Sequence, residues 1–476
     1  MKSSFPRIPI LHGWAHAKEL ITIEIQQSLE EGREPGAVEK IRVQAEALED
    51  SDHERLSALW YDLQEVPQRK DFAFVEPNDL ESIRSERADH LPLLPISYGD
   101  EELFDRMHGA WLGRSAGCAL GKPVECFMGS HNGLSSKERI KTYLTAIAPD
   151  EYPIRNYVPE ASPASPQTGE VGCPASTREK IAFMETDDDI RYTVIGQRVL
   201  LEHGAAFGTH HVAEAWMYHL GYWQVCTAET QAYRNLVIRY RPPFHSTGPD
   251  PVDWEWVAIN HNPYREWIGA QIRADSWGYA APGNPELAAE FAWRDARLSH
   301  VKNGIYGEMF CAAMIAAGFA ISDPLKVVEA GLAQIPQRSR LYQEMLETIE
   351  ICREHGFRAT EFEAVFDQIY KRFGHYSDVH TNNNAALVVA ALLLGQDDFE
   401  NVISIAVMGG WDTDCNGATA ASIWGAMHGA ARIPQKWSAP LHDTLFSLIP
   451  DYHPIAISEC ARRSVKIATR IRDTLS

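Results

Sequence analysis

Two acidic strings, Thr186-Asp187-Asp188-Asp189 and Asp412-Thr413-Asp414, concentrate the groups in this chain that could do chemistry. Successive carboxylates repel one another, so folding them together is unfavourable unless a cation or a helix N-terminus compensates. Ile190, Val194, Val199 and Leu200 follow the first string, and this spacing predicts a helix over 188–203. Thr186 is its expected cap, with the aspartates in the first turn. The second string lies between Gly409-Gly410 and Gly417, which permit a tight backbone path. Two aspartates one position apart can turn toward one ion from such a loop. Oxygen-only donors favour a hard ion, Mg2+, Mn2+ or Ca2+, over zinc. The carboxylates outnumber what one Mg2+ usually takes from a protein, so a two-ion centre uses them better.

A third constellation runs from Gly109 to Glu125. Glycines at 109, 113, 117 and 121 recur every four residues, which on a helix makes a bare ridge for close contact. Lys122-Pro123 is expected to break that helix and leave Glu125 on the following loop. The segment after Asp414 is likewise rich in small residues, including Ala418, Ala421, Gly425 and Gly429. Small side chains let helices approach closely and bring distant segments to one centre.

The elements that must position these groups read as all-α. Helical patterns are expected at Glu101–Leu120, Asp188–His203, Pro285–His300, Gly304–Ser322, Pro324–Ile335 and Leu341–His355, then at Thr360–Phe373, Asn384–Leu394, Phe399–Met408 and Asn416–Ile433. Residues 155–180 and 241–285, rich in Pro and Gly, read as irregular. Two further helical patterns fill 13–50, one with Leu20, Ile21, Ile25 and Leu29 on a single face. Another helix is expected at 53–64, followed by an extended strap with local helix near Asp79–Ala88. Nothing in this part looks chemical. The chain divides into an N-terminal helical extension, 1–98, and a catalytic domain, 99–476.

Hydrophobic residues make up 45% of the 476, enough for a large core. The net charge of −21 disfavours nucleic acid and anionic membrane surfaces as partners. Eight cysteines without a CxxC pair read as reduced thiols. No apolar run of signal length follows Met1–Arg7, and the longest apolar stretch, Ala385–Leu394, is about half a membrane span. A cytoplasmic protein is expected; no oligomeric state is assigned.

Together, Gly109–Glu125, Thr186-Asp187-Asp188 and Gly410–Gly417 resemble the three signatures of ADP-ribosylglycohydrolases, including the dinitrogenase reductase-activating type, over roughly residues 100–435. The resemblance implies a compact all-α fold with two Mg2+ or Mn2+ ions. Thr186, Asp187 and Asp188 would hold one ion, and Asp412 and Asp414 the second or both. Cys415 stands where the family usually has a threonine ligand, and Cys118 where it commonly has an aspartate. A thiol is a poor ligand for Mg2+. Glu125, Asp187 and Asp414 would carry the catalysis, with Glu125 moving a proton. His300, in Ala296–His300, resembles the histidine brought to the ribose, and His380 and Asn382 resemble a site-lining loop. The implied substrate is a small molecule or protein bearing ADP-ribose. Two other readings stay open: a hydrolase of another ribosyl or N-glycosidic compound, and a non-catalytic member of the fold.

Overall fold

The computed structural model describes residues 13–87, 93–244 and 251–475. The reading of Met1–Ile10 as free of a leader falls outside them, as do 88–92 of the strap and 245–250 of the second irregular segment. The described residues form an all-α fold. Its only paired strands, Thr444–Leu445 and Ile455–Ala456, are antiparallel and two residues long. No helix among the described residues is long and apolar enough to cross a membrane.

Helices apolar on every side belong in the interior, and three of them build the core. Asn303–Gly318, Thr381–Gly395 and Thr413–His428 are buried along essentially their whole length. The long helix Asp100–Glu125 lies against the last of these, buried from Gly109 to Val124. It begins with Asp100, Glu101 and Glu102, whose charge suits a helix N-terminus. The glycine ridge makes the contact. A Cβ placed on Gly117 would stand 2.1 Å from the carbonyl oxygen of Gly417, and one on Gly121 would stand 2.3 Å from that of Thr413. Carbon–oxygen contacts cannot approach so closely, so the backbones touch only because both positions lack a side chain. Gly117→Ala is therefore expected to destabilise the protein by about 1–3 kcal/mol through overpacking, although alanine is the better helix former. A chemical denaturation midpoint equal to or above that of the wild type would disprove this backbone contact.

The structure moves several element boundaries. Asp100–Glu125 does not stop before Pro123; it runs through it, so Glu125 is the last helical residue and not part of a loop. Proline's own φ is helical, and the carbonyl of Gly121 accepts a hydrogen bond from Thr413 Oγ1 at 2.9 Å, which secures this turn from outside. The helix expected at Asn416–Ile433 spans Thr413–His428 and ends at Gly429, which takes φ +82°. Asp414 thus sits in a helical first turn and not in a loop. The Pro- and Gly-rich stretch 241–285 contains the helices Trp254–Ile259 and Asp275–Tyr279, and most of 262–281 is buried. Its Tyr, Trp and Arg side chains pack inward, which outweighs the surface character of its prolines and glycines.

The N-terminal segment forms the helices Ala17–Glu30, Pro35–Glu46 and His53–Gln64 around a small apolar core of their own, centred on Ile21, Ile25, Val38, Ile41 and Trp60. Leu29, expected inside, is exposed, while Glu24 and Gln27 are buried. The first helix gives one face to its own small core and a polar face to the main body, where Arg265 and Glu266 meet it.

Candidate metal centre

Two short helix starts and one helix end converge at the centre. Asp187 is the N-cap of Asp188–His203 and accepts from the backbone N–H of Asp189 at 3.0 Å, so the cap is Asp187 and not Thr186. Asp412 precedes Thr413–His428, whose first turn holds Asp414. The glycine ridge slides the last turn of Asp100–Glu125 alongside, bringing Lys122 and Glu125 to the same place. The loop before Asp412 is held in a costly backbone conformation, with Trp411 at φ +56°. Trp411 stacks on Tyr370 at 4.2 Å, its backbone N–H donates to Ser136 Oγ at 3.0 Å, and Tyr370 donates to the carbonyl of Gly409 at 2.8 Å.

The acidic groups fall into two halves. In one, donor atoms of Glu125, Asp412 and Asp414 lie within 4.8 Å of one another. Asp412 Oδ1 and Asp414 Oδ1 are buried and have no hydrogen-bond donor among the described residues. In the other half, Asp187, Asp188 and Asp189 come equally close, but most of their oxygens are engaged. Lys122 Nζ lies 2.5 Å from Asp187 Oδ2 and 3.1 Å from the carbonyl of Thr186. Arg191 Nη1 donates to Thr186 Oγ1 at 2.9 Å. Asp189 pairs with fully buried Arg114 at 3.1 Å, and Arg114 also meets Asp275 at 2.7 Å. Glu125, Thr186 and Asp188 are partly exposed and form the open edge; Asp187, Asp189, Asp412 and Asp414 are buried.

Burial and mutual repulsion dominate the electrostatics. Asp414 and then burial hold the Glu125 carboxyl well above its usual range. Burial and then Asp414 do the same to Asp412. Burial and Asp187 push Asp414 up to about 7 and Asp188 up to about 6. Asp187 is the exception: burial raises it, but Lys122 offsets this and leaves it below the ordinary carboxyl value. A buried set of anions needs added positive charge, and the unpartnered oxygens of Asp412 and Asp414 offer the hard donors a divalent cation takes. The residues present therefore fit such an ion.

The other expected site residues are placed as follows. Cys415 donates its S–H to Asp189 Oδ2 at 3.1 Å, and burial keeps both its thiol and that of Cys118 protonated. His300 is buried after the helix Pro285–Ala296, with Nδ1 2.8 Å from Ser299 Oγ; burial and Arg273 keep it neutral. His380 caps Thr381–Gly395, its Nδ1 accepting from Asn382 N–H at 3.1 Å, and burial lowers it to about 3. Asn382 lies inside that helix and donates to Glu344 at 2.7 Å. The member of the asparagine run that reaches the centre is Asn384, whose Oδ1 accepts from the backbone N–H of Asp412 at 3.2 Å and from Asn416 at 2.8 Å. Lys122, Arg191 and Arg114 were the other residues that sequence reasoning passed over. Lys122 had a signal: it precedes Glu125 by three residues on one helix, and such residues share a face.

One solved structure, described as an ADP-ribosylglycohydrolase-related protein complex, is similar to this chain with a TM-score of 0.48 and 18% identity over 78% of this chain and 99% of that one. A comparison with curated proteins found no match. The sequence model of the ADP-ribosylglycohydrolase family matches residues 99–466, well over half of the chain, and the chain belongs to that family.

Proposed function

We propose that this chain is a metal-dependent hydrolase that cleaves the glycosidic bond between ADP-ribose and an acceptor. One observation carries the reading: in a glycohydrolase family, two buried carboxylate oxygens without donors, on Asp412 and Asp414, sit beside Glu125 at an open edge. Mg2+ or Mn2+, up to two ions, would be held by Asp412 and Asp414 and, on the other side, by Thr186, Asp187 and Asp188. A bound ion of this kind supplies Lewis acidity and orients oxygen ligands. Glu125, whose carboxyl is held up by Asp414 and by burial, gives a proton to the leaving group or accepts one from the attacking water. Asp187, gripped by Lys122 and the N–H of Asp189, fixes the start of its helix. His300, His380 and Asn382 are each buried and bonded to a protein neighbour through one side-chain atom, while His300 Nε2, His380 Nε2 and Asn382 Oδ1 have no hydrogen-bond partner among the described residues. The acidic surface and the free cysteines suit a cytosolic protein acting on a small or protein-borne ADP-ribosyl group.

The test is a substrate panel on the full chain: ADP-ribosyl-arginine, ADP-ribosylated protein and simple nucleosides, each with Mn2+ and with EDTA. ADP-ribose is expected from an ADP-ribosylated substrate, falling about 10²-fold under EDTA. Hydrolysis of nucleosides alone would replace this substrate class with another ribosyl compound. No release from any substrate with Mn2+ present would overturn the enzymatic reading.

A further inference from the structure

We infer that Lys122 serves as the built-in cation of the Thr186–Asp188 half of the centre, and that this chain holds a single divalent ion, on the Asp412–Asp414 side. The inference rests on the reading of the centre as metal-binding and adds to it how many ions are held and where. Lys122 is only 5% exposed, and its ammonium lies between Asp187 Oδ2 at 2.5 Å and the carbonyl of Thr186 at 3.1 Å. Those are oxygens a cation would otherwise take. The other oxygen of Asp187 accepts the N–H of Asp189, and Thr186 Oγ1 accepts from Arg191. Asp189 is spent on Arg114 and on the thiol of Cys415. Of the aspartates on this side, Asp188 alone is without an ion pair among the described residues. A second ion would have to displace Lys122 from Asp187 while like charges crowd the same pocket.

The opposite half has the reverse character. No ion pair among the described residues reaches Glu125, Asp412 or Asp414. Asp412 and Asp414 are 5% and 2% exposed, and each carries a buried oxygen without a hydrogen-bond partner among the described residues. Cys118, in reach of Asp187 and Asp414, adds only a thiol, which a hard ion takes poorly. Two of the three aspartates of one half are thus paired with protein cations, and the other half has the hard donors and no direct ion pair among the described residues.

Mn2+ binding to the full chain tests this, with stoichiometry read by calorimetry and the ion's environment by electron paramagnetic resonance. The wild type is expected to bind one Mn2+ per chain and to give the six-line signal of an isolated ion. Lys122→Met, which keeps the side chain's length and removes its charge, is expected to bind two and to show exchange coupling between them. Two ions in the wild type would overturn the inference and leave the metal-binding reading standing. One ion in both proteins would show that Lys122 does not hold the second position. No binding to the wild type would remove the metal-binding reading, and the inference with it. The wild-type resonance spectrum decides between one ion and two even if Lys122→Met fails to fold.

Discussion

Glu125→Gln is expected to lower kcat by about 10²–10⁴-fold, the usual contribution of a general acid or base, at saturating Mn2+. Glutamine keeps the size of the side chain and one carbonyl oxygen, so Mn2+ affinity should fall by less than about tenfold. The site supports this asymmetry. Glu125 ends its helix at the open edge, where a leaving group can reach it, whereas Asp412 and Asp414 lie behind it in the interior. Its neighbour Asp414 and then burial raise its carboxyl, which favours its protonated form. A residue that merely held the ion would behave differently: raising the Mn2+ concentration would restore turnover. Full recovery of kcat at high Mn2+, or wild-type kcat at any concentration, would remove Glu125 from the proton-transfer role.

The parts of the site legible in the sequence are those in which chemistry is packed into a short string. Asp187-Asp188-Asp189 and Asp412-Thr413-Asp414 announce themselves because like charges so close together demand a reason. The glycine ridge was legible as well, since a four-residue glycine period on a helix has few uses besides close contact. The state of each carboxylate was not legible. Asp187 and Asp189 are neutralised by Lys122 and Arg114, which lie 65 and 75 positions away, and no local pattern reports such pairing. The same limit explains the helix ends. Proline and glycine mark probable boundaries, but Asp100–Glu125 runs past Pro123, and Thr413 of another helix bonds to its Gly121 carbonyl there. Amphipathic reasoning placed Leu20, Ile21 and Ile25 of Ala17–Glu30 correctly inside but missed the second, polar buried face and misplaced Leu29. It counts glutamates as surface groups, and it had no way of knowing that Arg265 would meet two of them.

Those two glutamates lead to the second large effect. Arg265→Met is expected to destabilise the protein by about 3–5 kcal/mol, because removing one partner of a buried ion pair leaves an uncompensated charge. Arg265 is 1% exposed and grips Glu24 through Nη1 at 2.5 Å and Nη2 at 3.0 Å, and Glu31 through Nε at 2.9 Å. Lys302, 2.8 Å from Glu31, remains for one of them; Glu24 keeps only neutral donors, Ser28 and Gln64. Adding Glu24→Met to Arg265→Met should recover part of the loss, since it removes the stranded charge; a surface pair would show no such recovery. The damage should concentrate at the N-terminal segment, whose own apolar core is small, so protease cuts within 13–87 should appear before cuts in the main body. This segment is also only a few contacts from the centre. Glu30 Oε2 lies 3.8 Å from His380 Nε2, and His380 caps the helix whose Asn384 holds the backbone of Asp412. Release of the segment should therefore weaken Mn2+ binding as well as stability. A denaturation midpoint within about 0.5 kcal/mol of the wild type, with an unchanged cleavage pattern, would mean that the buried ion pairs do not hold the N-terminal helices to the domain.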